Sequence, residues 1–113
     1  MKKVEAHLLT PKELAQTQLL GSKIRRLRYA RRMQQAEAAL RANMSPPTAR
    51  KIENGDPSRT LGQVLRYLGA ISPGLTLLQL LEDKDPILLA QQAKDQNRRV
   101  RELTKAERAK LDF

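Results

Sequence analysis

The side chains of this sequence that are best placed to do chemistry are cations. Residues 22–55 carry nine Lys/Arg (Lys23, Arg25, Arg26, Arg28, Arg31, Arg32, Arg41, Arg50 and Lys51) against two acids, Glu37 and Glu53. Residues 56–97 are nearly neutral, so the excess of +10 is concentrated in one block and again in the tail from Arg98. Positive charge gathered in this way seeks phosphate, a membrane surface or an acidic protein. Catalytic groupings are weak by comparison. His7 stands without Cys, His or paired carboxylates near it in sequence, so it is not expected to ligate a metal or act as a base. There is no Ser/His/Asp set in a sensible context, no phosphate-cradling Gly loop and no carboxylate pair flanked by apolar residues. An enzyme is the weakest reading, and no cofactor or metal is expected. Asp83 and Asp85 sit in a charged turn and look like helix punctuation.

The elements that must position those cations read as helices. Thr10-Pro11-Lys12-Glu13 combines an N-cap, a proline at the first helical position and a glutamate that can close a capping box. This helix is expected to run to Leu20, with a break or kink at Gly21-Ser22. From Ser22, Ile24, Leu27, Ala30 and Met33 follow helical spacing. Ala36, Ala39, Leu40 and Ala42 suggest a second, short helix closed by Asn43, a residue that tolerates the left-handed conformation. Ser45 can cap the next helix, with Pro46 at its first position. Pro47 also fits there, because first-turn N–H groups have no intrahelical partner. Ala49 and Ile52 would face inward, and Asn54-Gly55 ends that helix. A fourth covers residues 61–71, with Leu61, Val64, Leu65 and Leu68 on one side, and Ser72-Pro73-Gly74 breaks it. Leu75, Leu77, Leu78, Leu80 and Leu81 make a dense apolar helix. Asp85-Pro86 starts another, expected to reach about Asn97, and a capping box at residues 104–107 could open one more. Before Thr10, Val4, Ala6 and Leu8 alternate weakly, as an edge strand would.

Two short helices joined through Asn43-Met44-Ser45 suggest a helix-turn-helix, in which the second helix enters the DNA major groove. "LGSKIRRLRYARRMQQAEAALRANMSPPTARKIENGDPSRTLGQVLRYLGAI", residues 20–71, resembles the helix-turn-helix domain of the Xre/Cro repressor family, kin of the lambda repressor. The strongest part is Lys51-Ile52-Glu53-Asn54-Gly55, at the end of the recognition helix, with Gln35 matching the glutamine that opens the family's second helix. The chain departs from the family pattern at Gln34, Ala38, Ala42 and Asn43, and at Pro46 and Pro47, which replace polar residues. Proline has no side-chain hydrogen bond to give, so the resemblance shifts base reading to Arg50, with Lys51 beside it. It further implies phosphate contact or bracing by Gln35, a phosphate or base contact by Thr48, a backbone contact by Asn54, and phosphate anchoring by Lys23 and Arg59. Ser45, Pro46 and Pro47 complete the implied DNA-facing set. The resemblance also pairs Arg28 with Glu53, and a buried glutamate needs such a partner on physical grounds.

The implied architecture is all-α: a five-helix, lambda-repressor-like helix-turn-helix domain over residues 10–82, with a C-terminal helical or extended arm over residues 83–113. Such domains dimerise on inverted repeats, and the surplus leucines of residues 75–81, with Leu61, Leu65 and Leu68, are the expected homodimer interface, with ordinary core as the alternative. The arm, "DPILLAQQAKDQNRRVR", resembles the ends of HipB-like antitoxins, which implies a HipA-like kinase toxin as partner and a promoter-autoregulating operon; a disordered tail or a second phosphate-binding arm is the equal alternative. A phage-type or housekeeping regulator, or a protein-interaction adaptor on the same fold, is the alternative. The chain has no cysteine, which excludes disulfides and thiolate metal sites. It has no apolar run near the ~20 residues of a membrane span, and a cytoplasmic location is expected.

Overall fold

The computed structural model describes the backbone of residues 5–83 and 86–111, and the side chains of residues 5–83 and 89–102. After a single 3-10 turn at Glu5–Leu8, the helices run α1 Pro11–Ala30, α2 Gln35–Arg41, α3 Pro46–Glu53, α4 Leu61–Ile71, α5 Leu77–Leu81 and α6 Pro86–Leu111. Among the described residues every regular element is helical, as the resemblance implies.

Short polar side chains set the starts. Thr10 Oγ1 accepts from the Glu13 N–H at 3.1 Å, and Glu13 Oε1 accepts from the Thr10 N–H at 2.8 Å. The same reciprocal box opens α4 with Thr60 and Gln63, and α5 with Thr76 and Gln79. Each box satisfies two donors that a helix end otherwise leaves without partners. Left-handed residues make the stops: Arg32 at φ +53° after α1, Asn43 at φ +57° after α2, and Gly55 at φ +76° after α3.

α1 and α2 pack on α3 and α4, with α5 against α1. The core between them consists of Ile24 and Leu27 from α1, Ala38, Ala39 and Ala42 at α2, Ala49 and Ile52 from α3, Tyr67, Leu68 and Ile71 from α4, and Leu80 from α5. The three alanines at α2 are buried, so their small size allows close packing against α3 and α4.

Several expectations need correction. Gly21-Ser22 does not break the helix; α1 passes through both. Gly21 is buried, and a Cβ there would fall 2.6 Å from the carbonyl oxygens of Ile52 and Glu53. Its role is close helix approach. Met33 lies beyond α1, half-buried, because the left-handed Arg32 turns the chain first. The weak alternation before Thr10 is not a strand: Ala6 and Leu8 lie in the 3-10 turn, and Val4 is outside the described residues. Leu40, Leu61 and Leu65, assigned to inward faces, are exposed, Leu40 by 80%. The inward side of α4 is carried by Tyr67, Leu68 and Ile71. Finally, the arm is neither extended nor divided near Asn97. α6 is one helix of 26 residues, about 39 Å long, and its early turns lie against Tyr29 and Ala30 of α1.

Candidate nucleic-acid interface

α3 is eight residues long and held on three sides. Its inner face buries Ala49, Ile52 and Glu53. Burying a carboxylate is costly unless its charge and lone pairs are satisfied, and here the flanking helices supply partners. From α1, the Arg28 guanidinium grips Glu53 as a fork, Nε to Oε2 at 2.7 Å and Nη2 to Oε1 at 2.9 Å. From α4, the Tyr67 hydroxyl donates to Oε2. From α2, Gln35 approaches the same carboxylate and helps to lower it. Burial pushes the Glu53 carboxyl up, but the hydrogen bonds from Arg28 and Tyr67, the charge of Arg28 and the approach of Gln35 outweigh it. The group therefore sits below the ordinary glutamate value. Burial and the bond to Glu53 push the Tyr67 hydroxyl far above its usual range. The bond to Glu53 likewise raises Arg28, against the opposing effect of burial. Glu53 thus stays charged at neutral pH and fixes the azimuth of α3 against α1 and α4.

The fork also links outward. Arg28 Nη1 donates to the Met33 carbonyl at 3.0 Å, pinning the chain between α1 and α2. Arg25, one turn earlier on α1, donates to Asn54 Oδ1 at 2.7 Å and reaches the Glu53 carbonyl oxygen at 3.4 Å. It therefore covers the C-terminal end of α3, where a cation is favoured by the helix dipole.

The opposite face of α3 points to solvent. Ser45, Pro46, Pro47, Arg50, Lys51 and Asn54 are exposed, and Thr48 is half-buried. Arg50 and Lys51 are thereby presented together at the surface. Gln35 is half-buried on the side of α2 near Glu53. Asn54 has its side-chain oxygen engaged by Arg25. Lys23 Nζ lies 2.7 Å from Asp83, joining α1 to the end of α5. Arg59 lies 3.5 Å from Asp56. Lys23 and Arg59 would each have to leave a carboxylate to reach a phosphate. Tyr67 and Arg25 were missed from the sequence. Helical spacing from Val64 through Tyr67 and Leu68 to Ile71 is compatible with an inward Tyr67, whose hydroxyl then needs a buried acceptor. No comparable signal picks Arg25 out of its basic neighbours.

A short capped helix locked by its inner face and basic on its outer face is what a helix that enters a DNA groove requires. A family model described as a helix-turn-helix domain matches residues 19–76, just over half of the 113 residues. The chain belongs to the helix-turn-helix domain family, and α2, α3 and α4 all lie within the matched residues. No curated protein and no solved structure matches the chain. No described helix is long and apolar enough to cross a membrane.

Proposed function

We propose that the protein is a sequence-specific transcriptional repressor of the Xre/Cro kind. It would act as a homodimer on an inverted-repeat operator, with α3 of each subunit in successive major grooves. The observation that carries this is the two-sidedness of α3: Glu53 is tied to α1 and α4, while Arg50 and Lys51 stand exposed on the outside. Arg50 reads guanine through O6 and N7, a bidentate contact that contributes ~1–3 kcal/mol of discrimination. Lys51 and Thr48 meet the groove wall, and Asn54 and Ser45 the backbone beside it. Gln35 braces α3, and Lys23 and Arg59 serve as outlying phosphate anchors. Phosphate contacts supply much of the affinity and make it fall steeply with salt. Bound at a promoter, the dimer would exclude polymerase.

Residues 10–82 form the DNA-binding unit in this scheme and residues 83–113 the arm. Dimerisation is supported by α5, which leaves Leu78 and Leu81 exposed by 70% and 47%. The arm is assigned to partner docking, with a HipA-like kinase toxin as the partner and the protein as its antitoxin. The resemblance of residues 85–101 carries that assignment, and a single helix of 26 residues offers a long docking surface for it.

Selection of duplexes from a random pool tests the DNA claim. Arg50→Ala should flatten the sequence preference, whereas Lys23→Ala should weaken selected and random duplex alike. Equal losses on both duplexes for Arg50→Ala would refute its reading role. Co-purification from the native operon tests the toxin: a kinase recovered with the chain supports the antitoxin role, and recovery of DNA alone points to a regulator without a toxin.

A further inference from the structure

The tip of α3 lacks the donors that helix starts usually present. The first turn of a helix normally offers N–H groups without intrahelical partners, which makes it an anion site. In α3, Pro46 and Pro47 have no N–H at all. The Thr48 N–H donates to Ser45 Oγ at 3.3 Å, and the Ala49 N–H donates to the Ser45 carbonyl at 3.2 Å. Ser45 Oγ and Thr48 Oγ1 lie 3.0 Å apart in a hydrogen bond, so one O–H remains between the two hydroxyls. What the tip does present is hydrocarbon, since both proline rings are exposed. Pro47 precedes Arg50 by three positions and Lys51 by four, so it shares their outward face. A helix start without free backbone N–H groups has a single hydroxyl left to offer a phosphate or a base acceptor.

Among the groups that base pairs display in the major groove, the thymine C5-methyl is the apolar one. We infer that Pro47 reads the C5-methyl of a thymine in each half-site, making it a specificity-determining residue alongside Arg50. This rests on α3 being the recognition helix. Three helical positions span about 4.5 Å, and one base-pair step is about 3.4 Å. The thymine therefore lies within one or two steps of the guanine that Arg50 contacts. Pro46, one position earlier, widens the same apolar surface.

Deoxyuridine scanning of a selected operator tests this with the wild-type protein, so folding does not enter. Replacing one thymine by deoxyuridine removes a methyl group and leaves every hydrogen-bonding group in place. Loss of one buried methyl should weaken binding about fourfold per half-site, or about fifteenfold when both half-sites are changed. Thymines outside the half-sites should show no effect. For Pro47→Ser, which keeps a residue accepted in a first helical turn, the deoxyuridine penalty should vanish while the guanine preference remains. A thymine within two steps of the guanine that shows the loss, and loses it in Pro47→Ser, supports the inference. Operators indifferent to every deoxyuridine, or an undiminished penalty in Pro47→Ser, overturn it and leave the recognition-helix reading standing. A pool that yields no preferred sequence overturns both.

Discussion

Replacing Gly21 by alanine should drive α1 away from the end of α3. In an ordinary helix interior this change stabilises by ~1 kcal/mol, because alanine has the better helix propensity. Here the new Cβ would meet the Ile52 and Glu53 carbonyl oxygens at 2.6 Å and the Gly55 nitrogen at 2.8 Å. Ordinary contact begins near 3.4 Å, so the helices must part by about 0.8 Å. All three obstacles are backbone, and none can rotate aside. Overpacking of this kind costs ~1–3 kcal/mol, and the same displacement stretches the Arg28–Glu53 fork. Set against the propensity gain of ~1 kcal/mol, the steric cost leaves a net loss of up to ~2 kcal/mol, and Tm falls by roughly 4–8 °C for each kcal/mol lost. Gly69 is the control, since it is exposed within α4 and a Cβ there would touch nothing within 4 Å. Gly69→Ala should therefore raise Tm, by ~0.5–1 kcal/mol of stability. Thermal unfolding followed by circular dichroism measures both. A Gly21→Ala protein as stable as wild type would show that α1 and α3 do not approach as described.

Other expectations follow from the same network and from α5. Tyr67→Phe removes a hydrogen bond to a buried charge and should cost ~1.5–3 kcal/mol in urea unfolding, with DNA affinity falling as α3 loosens. The Glu53 carboxyl is lowered in the folded chain, so the folded state holds its proton less tightly than the unfolded one. The stability it contributes is complete above the unfolded value of about 4.3 and is lost as pH falls through the lower folded value. Urea midpoints should therefore drop more steeply below about pH 4 in wild type than in Glu53→Gln. Leu78 is exposed by 70%, so Leu78→Glu should leave the fold intact and convert the proposed dimer to monomer in analytical ultracentrifugation. An unchanged mass would exclude α5 as the interface.

Local chemistry made much of the fold legible. Ser45-Pro46 and Asn54-Gly55 bracket α3 because capping, proline and left-handed closure act within a few residues. Ser72-Pro73-Gly74 ends α4, as its proline and glycine announce. The illegible parts depend on contacts between distant segments. Gly21 reads as a breaker in isolation and becomes a contact point only because the end of α3 crosses α1 there. Leu61 and Leu65 satisfy a helical stripe as well as Tyr67 and Ile71 do, and only the packing against α1 and α2 selects the second pair. The continuation of α6 past Asn97 was hidden because its residues are mostly charged, and charge alone does not distinguish a solvated helix from a coil. In the interface, the exposure of Arg50 and Lys51 follows from the buried positions Ala49 and Ile52 on the same short helix. The bond of Lys23 to Asp83 and that of Arg25 to Asn54 are long-range pairings, and no spacing rule announces them.

Guanine N7 methylation protection on a selected duplex tests most directly whether α3 lies in the major groove with Arg50 at a base edge. Wild-type protein should protect one guanine N7 in each half-site. Arg50→Ala should expose that guanine while preserving the rest of the footprint. Identical protection by wild type and Arg50→Ala, or a bound duplex with no guanine N7 protected, would contradict it.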